Sequence, residues 1–111
     1  MAYKDPDEPF TRLSVAEVRQ MMENGHVQLI DVSEAEEYEL RHVPGAVHIP
    51  VGKVFARREE LSRERDIVFI CPIGQRSVLA CEMAAAAGLT RLYNMEGGTG
   101  AWIKEGYPLE E

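Results

Sequence analysis

The chain has 111 residues, 45% of them hydrophobic and 28% charged, with a net charge of −7. That length suits one compact domain able to bury roughly two-thirds of its unfolded surface, and the composition is globular rather than fibrous or disordered. The acidic balance argues against nucleic acid or an anionic membrane as a partner.

Met1 to Phe10 contain Asp5, Asp7, Glu8 and two prolines, so they lack the basic start and apolar core of a secretion signal. The longest apolar run is broken by Glu82, far short of a membrane span. A soluble, cytoplasmic protein is expected, with residues 1–10 as a flexible lead-in and residues 11–111 as a single domain. Phe10 to Leu13 reads as a short extended piece. Ser14-Val15-Ala16-Glu17 is a capping box, and Val15, Val18 and Met22 then share one helical face up to the stop at Asn24-Gly25. Val27 to Asp31 reads as a strand that carries Asp31 to the sheet edge. Ser33-Glu34-Ala35-Glu36 repeats the capping pattern, with Ser33 as the cap of a short helix through Tyr38. A turn at His42-Val43-Pro44-Gly45 precedes a strand from Ala46 to Ile49, and residues 51–64 suggest a polar amphipathic helix with Val54, Phe55 and Leu61 inward.

The next stretch is the richest in chemistry. Ile67-Val68-Phe69-Ile70 reads as a buried strand and the Ala-rich run after Ser77, ended by Gly88, as a helix. Cys71 therefore sits on the turn between them. In an open α/β sheet ligands bind beyond the carboxyl ends of the strands, where a helix start aims its unpaired N–H groups. A sulfur placed there meets donors and a positive helix end, both of which favour thiolate over thiol. Leu92 to Met95 is a last strand, Gly97-Gly98-Thr99-Gly100 a loop, and Ala101 to Glu105 a closing helix. Strands alternating with helices imply parallel βα units and a three-layer α/β fold.

Two cysteines are too few for a disulfide scaffold, and no metal spacing is present. Cys81 falls over a turn down the helix from Cys71, too far for a bridge, and reads as a small buried hydrophobe. His42 and His48 anchor loops more naturally than they hold a metal. Gly98-Thr99-Gly100 lacks the third glycine of a dinucleotide loop, so neither metal nor cofactor is expected.

Three landmarks in order carry a family resemblance. Asp31-Val32-Ser33 with Glu37-Tyr38 and His42 to Pro50 resembles the first signature of the rhodanese family. Cys71-Pro72-Ile73-Gly74-Gln75-Arg76-Ser77 resembles its active-site loop, and Glu96-Gly97-Gly98 with Trp102 and Gly106-Tyr107-Pro108 resembles its closing signature. The resemblance covers about residues 12–110. It implies a mainly parallel five-stranded sheet with helices on both faces, and a sulfurtransferase whose loop cysteine, Cys71, takes up a sulfane sulfur as a persulfide. It also implies that the backbone amides of Ile73, Gly74, Gln75, Arg76 and Ser77 bind the substrate. The expected partners are a small sulfur donor, or a protein persulfide, and a thiol or cyanide acceptor.

Thiosulfate-handling members often carry a basic residue after the cysteine, where this chain has Pro72 and Ile73. A thiol persulfide is accordingly the better-suited donor. Arg41 stands where the family often has Gly, suggesting a helix end not built on a left-handed residue. Arg76 either faces the substrate anion or pairs with a carboxylate, and Ser77 either contacts the sulfur or caps the helix, with capping the simpler role. Asp31 is expected to support neighbouring loops. Lys53, Arg57 and Arg58 form either a basic rim or a solvated face. A cysteine phosphatase is disfavoured because only four residues, Pro72 to Gln75, separate Cys71 from Arg76, one fewer than such loops use. A non-catalytic docking or redox-sensing module is the other alternative, since one fold serves many functions.

Overall fold

The computed structural model describes residues 2–111. Five strands, β1 (Thr11–Leu13), β2 (Val27–Asp31), β3 (Val47–His48), β4 (Asp66–Ile70) and β5 (Leu92–Met95), form one sheet in the order β1-β5-β4-β2-β3. Every pairing within it is parallel. The helices are α1 (Val15–Asn24), α2 (Ala35–Leu40), α3 (Arg76–Ala86) and α4 (Gly98–Lys104).

β4 lies at the centre and is covered on both sides, so its sequence is a continuous apolar run instead of an alternating one. Ile67 and Phe69 face one apolar cluster, and Cys71 continues that face with Ala80, Cys81 and Ala84 of α3. Val68 and Ile70 face the other, with Val15 and Val18 of α1 and Trp102 of α4. The small residues of α3 let its axis come close to the sheet, which brings its first turn to the end of β4. Each Val, Ile or Leu fully buried in these clusters contributes roughly 1.5–3 kcal/mol.

The capping box of α1 forms as written: the Glu17 N–H donates to Ser14 Oγ at 3.1 Å and the Ser14 N–H to Glu17 Oε1 at 2.8 Å. Ahead of β1, Tyr3 exchanges two backbone hydrogen bonds with Arg12, and Phe10 is fully buried. At the other end, His42 pairs in the same antiparallel way with Glu110.

Three expectations need correction. Gly98, Thr99 and Gly100 are not a loop but the first turn of α4, with Gly97 as its cap. The cap of α2 is Glu34, whose N–H donates to Glu37 Oε1 at 2.8 Å. Ser33 is instead buried, its N–H held by Asp31 Oδ1 at 2.9 Å, because the carboxylate at the strand end captures the donor first. Residues 51–64 form no α-helix but two single turns of 3₁₀ helix, Val51–Lys53 and Arg58–Glu60. Val54 and Leu61 are buried there, while Phe55 is exposed with the Arg58 guanidinium over its ring. Two buried anchors seven residues apart give too little apolar contact to support a helix that also contains Gly52.

Candidate active site

Cys71 follows the last residue of β4, and its Sγ is met by two backbone N–H donors and a hydroxyl. The Gly74 N–H lies at 3.1 Å, the Ser77 N–H at 3.4 Å and the Ser77 hydroxyl at 3.4 Å. The N–H groups of Ile73, Gln75 and Arg76, expected in the same role, make no hydrogen bond to the sulfur among the described residues, and Ile73 and Gln75 are exposed. Ser77 does not cap α3: Gln75 occupies that position, and the Ser77 side chain turns into the first helical turn toward the sulfur. The sulfur is also less accessible than an exposed thiolate would be, since Cys71 is 0% exposed.

The loop closes tightly because Gly74 adopts φ +86°, a conformation L side chains rarely hold. A Cβ there would sit 2.9 Å from the backbone nitrogen of Gly97. The glycines of the closing signature form the floor on which the loop rests. The Thr99 N–H donates to the Cys71 carbonyl and the Gly100 N–H to the Pro72 carbonyl, both at 2.9 Å. The start of α4 thus satisfies the two carbonyls that the turn would leave unpaired. Gly98 lies so close that a Cβ would meet the Cys71 carbonyl oxygen at 2.0 Å.

Arg76 makes a bidentate pair with Glu37 of α2, at 2.9 and 3.0 Å. The pair ties α3 to α2. The pairing holds the Glu37 carboxyl below the usual carboxylate range, with the Glu34 N–H adding to the effect, and raises the Arg76 guanidinium. Asp31 is buried at the end of β2, one strand from Cys71. Its Oδ1 accepts from Ser33, and its Oδ2 has no partner among the described residues.

The Tyr38 ring is stacked between His42 and His48, with centroids 3.8 and 4.6 Å away. His48 Nε2 pairs with the Ser33 carbonyl at 2.7 Å and His42 Nδ1 with the Tyr38 carbonyl at 2.8 Å. These histidines fasten loops, and no cluster able to hold a metal occurs among the described residues. Arg57 pairs with Glu60, and the Arg58 guanidinium lies over the Phe55 ring. Burial pushes the Cys81 thiol far above its ordinary value; its Sγ faces the Tyr93 carbonyl at 3.5 Å.

One contributor was missed. Asn94, fully buried on β5, donates to the Gly74 carbonyl at 3.3 Å and to Glu96, whose carboxylate is held by Arg12. Asparagine is unfavourable in a central strand, which is the signal that could have marked it.

The model of the Rhodanese-like domain matches residues 14–105. The chain belongs to that family. It is 40% identical over 76 residues to the putative sulfur carrier protein YrkF of Bacillus subtilis, covering 68% of this chain and 41% of that one. It is 36% identical over 97 residues to the putative sulfurtransferase YtwF of the same organism, covering 86% and 93%. A rhodanese-related protein from Thermoplasma volcanium superposes with TM-score 0.81 at 27% identity, over 89% of this rhodanese-like chain and 96% of the other. The chain spans less than half the length of YrkF. The rhodanese-like fold and a family role in sulfur transfer stand on these likenesses and on the sheet order. No described helix is long and apolar enough to cross a membrane.

Proposed function

We propose that the chain is a sulfurtransferase, or persulfide carrier, that works through Cys71. The observation that carries this reading is the convergence of the Gly74 and Ser77 N–H groups and the Ser77 hydroxyl on one sulfur at the end of a parallel strand. Backbone N–H groups stabilise negative charge on sulfur without surrendering a proton that would quench the nucleophile.

In the first half-reaction the Cys71 thiolate attacks the outer, sulfane sulfur of the donor. A bond forms between Sγ and that sulfur, and the donor's S–S bond breaks with its electron pair leaving on sulfite or a thiolate. In the second, a thiol or cyanide attacks the outer sulfur of the Cys71 persulfide. The Sγ–S bond breaks, the electron pair returns to Cys71 and the acceptor departs as a persulfide or thiocyanate. The same donors serve both anions, so the loop needs no rearrangement of charge between the halves.

Pro72 and Ile73 put no cation beside the sulfur, which suits a monoanionic thiol persulfide better than dianionic thiosulfate. Phosphatase chemistry is less well served: Arg76 is engaged by Glu37, and a loop of four intervening residues suits one sulfur atom better than a tetrahedral phosphate.

Intact-mass measurement after exposure to a small-molecule persulfide tests the reading. The expected result is a one-sulfur adduct that cyanide removes and that Cys71→Ser does not form. Absence of that adduct, with or without phosphate release from an aryl phosphate, would overturn it.

A further inference from the structure

Beside the sulfur loop lies a cavity of about 240 Å³. Leu40 and Arg41 at the end of α2, Pro72 of the loop and Ile103 of α4 form its wall, with Ser33 and Thr99 among its polar groups. That is far more room than the one sulfur atom being transferred requires. Part of that wall is aliphatic where the fold gains little from it: Leu40 is 66% exposed. A large aliphatic side chain kept in water beside a reactive loop is surface available to a ligand.

The charges are also unequal. Glu37 lines the cavity as well, but Arg76 neutralises it. Arg41 makes no side-chain hydrogen bond or ion pair among the described residues, so on a chain of net charge −7 the cavity keeps one uncompensated guanidinium. A guanidinium presents a flat fork of donors that matches a carboxylate.

We propose that this cavity receives the organic part of a small thiol persulfide that carries a carboxylate, with Arg41 pairing the carboxylate and the carbon chain lying on Leu40, Pro72 and Ile103. The inference rests on the reading of Cys71 as the sulfur acceptor, and it names the donor class for that site. The donor R–S–SH presents its terminal sulfur to the Cys71 thiolate. The new Sγ–S bond forms as the donor's S–S bond breaks, and R–S⁻ leaves with the electron pair and takes a proton from water. Arg41 touches none of the reacting atoms, so it sets specificity and does no chemistry.

The test compares three donors on the full chain: the persulfide of a mercaptocarboxylic acid, the persulfide of its neutral primary amide, and inorganic polysulfide. The expected result is a KM about fivefold lower for the acid than for the amide, the size of one partly exposed ion pair. Arg41→Gln should raise the acid's KM to the amide's value with little change in kcat, and Arg41→Lys should restore part of the difference. Equal KM values for acid and amide, or an Arg41→Gln effect equal on both, would overturn the assignment while polysulfide still loads Cys71. If no donor loads Cys71, polysulfide included, the sulfur-acceptor reading itself has failed and the donor class falls with it.

Discussion

Gly98→Ala isolates the physical reason for the glycine pair beneath the sulfur loop. Gly98 has φ +62°, where an L side chain costs about 1 kcal/mol. Its added Cβ would lie 2.0 Å from the Cys71 carbonyl oxygen and 2.7 Å from the carbonyl carbon and oxygen of Pro72. A carbon and an oxygen in ordinary contact are about 3.3 Å apart, so the start of α4 must retreat by roughly 1.3 Å. That movement breaks the bonds from Thr99 and Gly100 to the two loop carbonyls, each contributing about 1 kcal/mol net. The sum is roughly 3–4 kcal/mol, a fall in Tm of roughly 12–20 °C for a chain of this size. Gly106→Ala is the matched control: its φ is +76°, yet a Cβ there meets nothing within 4 Å, so it should lose about 1 kcal/mol. Urea unfolding of both variants, followed by fluorescence of Trp102, gives the difference. A Gly98→Ala midpoint equal to that of Gly106→Ala would refute the close-approach argument.

Three further outcomes follow from the geometry. Cys81→Ala should load Cys71 with sulfur as the unchanged protein does, at about 1–2 kcal/mol of stability, because its thiol is buried and pushed far up; loss of loading in intact mass would give Cys81 a chemical role. The Glu37 carboxyl is held low by Arg76, so its contribution is present above about pH 4.3 and lost as pH falls through its lowered value. Glu37→Gln should therefore unfold at lower temperature than the unchanged protein near neutral pH, with the two Tm curves converging below about pH 4; parallel curves would deny the pair any role. Pro72→Arg should raise kcat/KM for thiosulfate about tenfold, and the gain should shrink with added salt; an unchanged thiosulfate rate would show that the missing cation is not what limits that donor.

The parts legible from sequence were those decided by neighbours along the chain. The Ser14 box, the buried run of β4 and the Ala-rich α3 depend on local propensity and period, and these agree with the fold. What could not be read depends on contacts across the sheet. Which loop amides reach the sulfur is set by the dihedral angles of residues 72–75, and Asn94 reaches Gly74 only because β5 lies beside β4 in the register that places Phe69 opposite Asn94. Residues 51–64 show the same limit in reverse. Their pattern allowed a helix, but only Val54 and Leu61 are fully buried in the core, with Val51 packed at its edge, and the backbone settled into short turns.

The burial of Cys71 gives Asn94 a consequence for access as well as for shape. Residues 72–75 flank the buried sulfur, and an outward swing of this loop would open it to a reagent. Ile73 and Gln75 are already exposed, so the movement uncovers little apolar surface. The restraints are hydrogen bonds. Those from Thr99 and Gly100 belong to the start of α4, whereas the Asn94 bond to the Gly74 carbonyl, at 3.3 Å, is longer and holds the residue whose N–H faces the sulfur. Asn94→Ala removes that restraint alone within the loop. Alkylation of Cys71 by iodoacetamide should then be about fivefold faster than in the unchanged protein, the effect of losing a hydrogen bond of about 1 kcal/mol. The increase should persist at denaturant-free conditions where global unfolding, measured on the same variant, is too rare to account for it. If Cys71 in Asn94→Ala reacts no faster than global unfolding predicts, the loop opens by another route and Asn94 serves only to keep β5 in place.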